Sequence, residues 1–109
     1  MIEIALATCD SERFLPALLD SLFAQTRQDF TILVSDDDSA DGTQRLLDAY
    51  GSSFAGRIRQ LPPNPTRLGV IGNFDRLLAH ARGDYLFLCD HDDVWLPRKI
   101  ERSLEAMAK

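Results

Sequence analysis

The stretch FTILVSDDDSADGTQRLL, residues 30–47, decides the fold. Residues 30–34 are apolar and mostly β-branched or aromatic, a short run that reads as a buried strand. The run passes directly into Ser35, Asp36, Asp37 and Asp38. Asp41-Gly42-Thr43 then opens a helix that carries Leu46, Leu47 and Tyr50 and closes near Gly51. A strand that hands a knot of carboxylates to a helix start is one repeat of an α/β sheet.

The same order holds on both sides of it. Residues 2–7 (IEIALA) form an apolar run, followed by the polar Thr8-Cys9-Asp10-Ser11, where Ser11 is placed to cap a helix. Phe14, Leu15, Leu18, Leu19, Leu22 and Phe23 then recur at helical spacing, with Pro16 tolerable in a first turn. Downstream, residues 58–61 read as a short third strand, and Pro62, Pro63, Asn64 and Pro65 interrupt the chain. A third helix is expected over 70–81, with Gly83 as its C-cap glycine. Residues 84–89 (DYLFLC) read as the fourth strand, delivering Asp90-His91-Asp92-Asp93, and a last helix is expected from near Pro97 to Lys109. The alternation βαβαβαβα predicts a parallel α/β sandwich with helices on both faces. In such sheets ligands bind beyond the carboxyl ends of the strands. Three polar segments fall there: Thr8-Cys9-Asp10, Asp36-Asp37-Asp38 and Asp90-His91-Asp92-Asp93.

Composition sets the outer bounds. The 109 residues make one domain, and 45% hydrophobic residues are ordinary for a globular chain. No apolar run reaches the roughly 20 residues of a membrane helix. Glu3 precedes any basic residue, which disfavours a signal peptide. A net charge of −5 argues against nucleic acid as a partner. Cys9 and Cys89 are too few and too far apart for a disulfide scaffold or a thiolate metal site, and a cytoplasmic setting is expected.

Carboxylates gathered at one rim repel one another, and a divalent cation relieves that repulsion. Oxygen ligands suit magnesium or manganese, which commonly take one or two carboxylates and fill their shell from phosphate and water. Asp90 and Asp92, two residues apart, can face one side of an extended loop. They are the expected metal ligands.

Ala7-Thr8-Cys9-Asp10, then residues 35–43 (SDDDSADGT), then Gly83-Asp84-Tyr85 followed by residues 90–97 (DHDDVWLP), together resemble the motifs of glycosyltransferase family 2. The resemblance covers nearly the whole chain, and its Asp-Asp-x-Trp form is similar to rhamnosyltransferase-like members acting in bacterial surface polysaccharide synthesis. It implies a Rossmann-like fold of the GT-A type and an inverting transfer of sugar from a nucleoside-diphosphate donor to a saccharide or lipid-linked acceptor. It further implies that Asp37 meets the nucleobase, that Thr8 lies in the base and ribose pocket, and that Asp90 sits near the ribose. Asp92 would be the chief ligand of a manganese or magnesium ion beneath the diphosphate. Cys9 and Asp10, expected among the donor-binding residues, stand where the family has Tyr and Asn, and Asp38 stands for the Gly of a turn, whose left-handed geometry Asp tolerates. Arg67, as a base or phosphate contact, and Asn73 are further candidates for contact with the donor.

The resemblance places the catalytic base well downstream of the metal motif. Only Asp93, Glu101 and Glu105 follow Asp92, so none is assigned, and the base and acceptor-binding half are expected beyond Lys109. The full enzyme is expected to associate peripherally with the inner face of a membrane. Asp41 reads as a helix cap, Asp84 as solvent-facing, His91 as a loop residue, Asp93 as either a helix-entry or a site residue, and Trp95 as packing. A receiver-type phosphate switch would carry its acidic pair after strand one, not strand two. A dinucleotide dehydrogenase would need a Gly-x-Gly-x-x-Gly turn, which is absent. The remaining alternative is a binding module that keeps nucleotide affinity without transfer.

Overall fold

The computed structural model describes residues 1–108. Its elements alternate as expected: β1 (Ile2–Thr8), α1 (Leu15–Phe23), β2 (Phe30–Asp36), α2 (Thr43–Ser53), β3 (Ile58–Gln60), α3 (Gly69–His80), β4 (Tyr85–Asp90) and α4 (Lys99–Met107). The strands form one parallel sheet in the order β3-β2-β1-β4. Register sets Thr8 beside Asp36 and Ala7 beside Asp90, so the polar strand ends share one rim.

The pleat of β1 divides the interior. Ile2, Ile4 and Leu6 face α1, α2 and α4, where they bury against Leu15, Leu18, Leu19, Leu22, Leu47 and Ile100. Each such aliphatic side chain contributes about 1.5–3 kcal/mol by leaving water. Ala5 and Ala7 face the other way, and their small size lets α3 lie close over them, with Leu77, Leu33 and Leu61 completing a thinner core. Trp95 is buried with its ring against Phe87, packing the loop before α4 onto the thick side.

Glu3, on the α3 side of β1, is almost wholly buried. Its Oε1 accepts hydrogen bonds from Arg82 N at 2.6 Å and Gly83 N at 3.1 Å, and Arg59 reaches its Oε2 at 3.4 Å. This corrects the expected role of Gly83. The helix already ends at Ala81, whose backbone is extended (φ −66°, ψ 141°), so there is no left-handed glycine cap. Gly83 is needed for close approach: a Cβ there would stand 2.7 Å from Glu3 Cβ and 2.9 Å from Tyr85 O.

Two further helix expectations shift. The Ser11 hydroxyl caps no helix; its backbone carbonyl accepts from Phe14 N and Leu15 N, while its Oγ accepts from Cys9 N. Asp41 does serve the start of α2, from one position earlier than a cap, by accepting from Thr43 N at 2.9 Å. The last helix starts at Lys99, two residues after Pro97, and Lys109 lies outside the described residues. Among the described residues no helix is long and apolar enough to cross a membrane.

A candidate ligand site at the strand ends

A cleft of about 210 Å³ opens at the rim where β1, β2 and β4 end. Six of the residues expected in a donor site line it: Thr8, Cys9, Asp37, Arg67, Asn73 and Asp90. A larger depression of about 690 Å³ lies between residues 94–97 and the start of α4. Its lining is largely apolar and includes none of the strand-end carboxylates, so the smaller cleft is the candidate site.

Asp37 is the most constrained group there. The carboxylate is buried, and its Oδ1 accepts from Asn64 Nδ2 at 2.9 Å and Leu68 N at 2.7 Å, while Oδ2 accepts from Gly69 N at 3.0 Å. Gly69 adopts φ +83°, a left-handed geometry that suits glycine. Burial alone would raise the carboxyl's pKa, but these hydrogen bonds from Leu68, Asn64 and Gly69 outweigh it and hold Asp37 below its ordinary value of 3.8. Behind it, Asn73 accepts from Ser35 Oγ (2.7 Å) and Asn64 Nδ2 (3.1 Å), and donates to Ser35 O (2.9 Å).

Thr8 is buried, and its hydroxyl donates to Asp36 Oδ1 at 2.6 Å. Asp36 also accepts from Ser39 N and Ser39 Oγ, which folds the acidic turn back on itself. Asp38 takes the left-handed backbone expected of it, φ +57°. Asp10 is left-handed too, at φ +47°, and does not line the cleft. It accepts from Ala40 N at 2.7 Å and forms an ion pair with Arg67. The Ala40 hydrogen bond and the Arg67 guanidinium lower its pKa. Asp10 thereby holds Arg67 at the cleft's edge. Cys9 is half-buried with its thiol directed to Asp37 O; burial raises its pKa, against the pull of Arg67.

The third acidic segment is arranged differently from the extended loop expected of it. Asp93 N bonds Asp90 O at 3.2 Å, so residues 90–93 form a turn, and Asp92 lies outside the cleft lining while Asp90 and His91 lie within it. Asp90 and Asp92 are exposed, whereas Asp93 Oδ2 accepts from Asp90 N. Among the described residues no three acidic, Cys or His side chains gather to cage an ion. A hard cation needs no such cage when a phosphate supplies the rest of its shell, and exposed carboxylate oxygens at Asp90 and Asp92 suit that mode. The donor set therefore fits.

Sequence reasoning passed over Asn64 and Gly69, and placed Asp36 at the rim without assigning it a partner. Asn64 sits among prolines that read only as a chain break, yet its amide nitrogen bonds both Asp37 and Asn73. A polar, hydrogen-bonding residue held between prolines was the available signal.

The chain matches the family model described as "Glycosyl transferase family 2" over residues 3–109. It is 29% identical over 108 residues to "Putative glycosyltransferase EpsE" of Bacillus subtilis (strain 168), covering 99% of this chain and 38% of that protein. It is also 29% identical over 109 residues to "UDP-Glc:alpha-D-GlcNAc-diphosphoundecaprenol beta-1,3-glucosyltransferase WfgD" of Escherichia coli, covering 100% and 42%. Among solved structures, the "Mannosyltransferase PcManGT from Pyrobaculum calidifontis in complex with GDP-Man and Mn2+" superposes with a TM-score of 0.88 at 20% identity, over 99% of this chain and 32% of that one. The chain thus spans well under half the length of each.

Proposed function

This chain belongs to glycosyl transferase family 2, and on that premise we propose that it supplies the donor-binding part of an inverting glycosyltransferase. The enzyme moves a hexosyl or rhamnosyl group from a nucleoside diphosphate to a saccharide or lipid-linked acceptor in bacterial surface polysaccharide synthesis, at the cytoplasmic face of a membrane. The observation that carries this reading is the cleft at the shared strand-end rim, with Asp37 at its inner wall and Asp90 at its mouth.

Electrostatics orients the ligand. Asp37 is a buried carboxylate that only accepts hydrogen bonds, so the part of the donor that reaches it must carry an N–H or O–H. A diphosphate has neither when ionised; with the nucleoside at Asp37, as the resemblance implies, the diphosphate would lie toward Asp90 and Asp92. Those two side chains are the residues that would hold a manganese or magnesium ion. When bound, such an ion supplies Lewis-acid stabilisation of the departing nucleoside diphosphate. Arg67, steadied by Asp10, borders the cleft as a donor of hydrogen bonds. Thr8 and Asn73 wall the nucleoside pocket.

No carboxylate here is assigned as the base that deprotonates the acceptor. Glu101 is engaged by Arg98 on α4, and Asp93 is engaged in the turn. The purified 109-residue chain is therefore expected to bind nucleotide without transferring sugar. Calorimetry with UDP, dTDP and GDP, each with and without manganese, tests the reading. Binding that strengthens with the cation supports it; no binding of any nucleoside diphosphate under either condition overturns it.

A further inference from the structure

Residues 94–97, between the acidic turn and α4, present apolar side chains to solvent on a backbone that cannot retract them. Trp95 N donates to Ser21 Oγ at 3.0 Å, Gln25 Nε2 donates to Leu96 O at 2.7 Å, and Thr26 N donates to Pro97 O at 2.8 Å. The segment is thereby pinned to the end of α1 and the residues that follow it. The Trp95 ring is buried against Phe87, while its neighbours Val94 and Leu96 are 66% and 79% exposed. A loop free to move would fold such side chains onto the core; this one holds them out. Neighbouring apolar side chains fixed in that way mark an interaction surface.

Charge says what the surface meets. The depression that these residues share with the start of α4 is lined by Arg98, Lys99 and Arg102 and by no carboxylate. Glu101 pairs with Arg98, which leaves the exposed Lys99 and Arg102 as the net positive groups, with Lys99 Nζ 4.6 Å from the centre of the Trp95 ring. Asp92 and Asp93 come just before in sequence but do not line it, and Glu101 and Glu105, four residues apart, share a different strip of α4. In a chain of net charge −5 this is a local reversal of sign. A second copy docked symmetrically would set these cations against their own counterparts. A protein partner would need a shaped surface to receive Leu96, whereas the fluid boundary of a bilayer admits a protruding side chain and its anionic headgroups supply the countercharge. We infer that this surface docks on an anionic lipid bilayer, with Val94 and Leu96 entering the boundary between headgroups and acyl chains and Lys99 and Arg102 meeting lipid phosphates. The contact follows the Asp90–Asp93 turn directly in sequence, so it would set the mouth of the donor cleft near the lipid surface, where a lipid-linked acceptor is held. This rests on the reading that the enzyme works at a membrane; the donor-cleft reading stands separately.

The test uses the 109-residue chain and two kinds of vesicle, one of phosphatidylcholine alone and one an equal mixture of phosphatidylcholine and phosphatidylglycerol. Co-sedimentation gives the partition coefficient, and Trp95, the only tryptophan, reports its own approach to lipids brominated on the acyl chain. Binding is expected to the mixed vesicles only, with Trp95 emission quenched by the brominated chains. Arg102→Gln should weaken partitioning about fivefold, the scale of one basic side chain near an anionic surface. Leu96→Ser should weaken it about tenfold, the scale of burying one aliphatic side chain. Both side chains are exposed, so neither change disturbs the core, which circular dichroism checks. Equal binding to both vesicles, or binding to the mixed ones that neither variant weakens, overturns the inference and leaves the membrane reading standing. No binding to either overturns both for this chain. A dimer in sedimentation equilibrium that Leu96→Ser dissociates gives the face to a second copy and overturns the inference as well.

Discussion

Burial separates the rim carboxylates into two kinds. Asp37 is inside and accepts three protein hydrogen bonds, whereas Asp92 is outside. Asp92→Asn keeps the shape and removes the charge, so it should abolish the gain in nucleotide affinity expected from manganese in wild type. Asp93→Asn should lose much less, because that side chain is spent on the turn at Asp90 N. Calorimetry of both variants with and without manganese decides it, and a larger loss at Asp93 would move the ligand assignment. Asp37 makes a different statement about pH. Its folded pKa is depressed, so the stability it adds is fully present above its unfolded value and disappears as pH falls through the folded value. Asp37→Asn should cost about 1–3 kcal/mol at pH 7, and urea titrations should show that deficit shrinking below pH ~4 as wild type loses its own charge. The two thiols give a third check. Burial, reinforced by Asp93, pushes Cys89 up to about 12, whereas Cys9 is half-exposed. Iodoacetamide on the native chain should label Cys9 well ahead of Cys89, and urea should remove the difference.

At the scale of elements, all eight strands and helices are legible in the sequence, because apolar periodicity and strand length survive into the folded state. What was not legible is how the ends are finished. Gly83 reads as a cap because a glycine after a helix usually is one. Its actual constraint is the distance to β1, a contact between residues 80 positions apart that no local pattern encodes. Gly83→Ala would force its Cβ against Glu3 Cβ and Tyr85 O, and should destabilise the chain by about 1–3 kcal/mol in urea denaturation, as overpacking does. An unchanged midpoint would show that β1 and β4 can spread to admit a methyl group. The same limit applies to the site. Strand ends could be located, so Asp37 and Asp90 fell at the cleft. Asn64 and the Leu68 amide reach it from the loop before α3, and the Gly69 amide from the first residue of that helix, positions that depend on tertiary contacts.

Across the whole molecule, the sheet is padded unequally. Three helices cover one face with the thick cluster of Leu and Ile, and α3 alone covers the other, over alanines. The cleft draws Gly69, Val70 and Asn73 from that thinly held helix, while Thr8 comes from the end of β1 and Asp37 from the residue that follows β2. Local opening costs least where few apolar contacts must be broken, so the two walls of the cleft belong to regions of different stiffness. Amide hydrogen exchange should register this as faster exchange along α3 than along β1 and β2 in the free chain. A nucleotide spanning both walls would tie the loose one to the firm one. The amides of Leu68 and Gly69, already pointed at Asp37, should then slow the most, and β2 should scarcely change. A ligand held there would thus have a mechanical task, steadying the less heavily packed wall, and much of its binding entropy is expected to be spent in ordering that one helix.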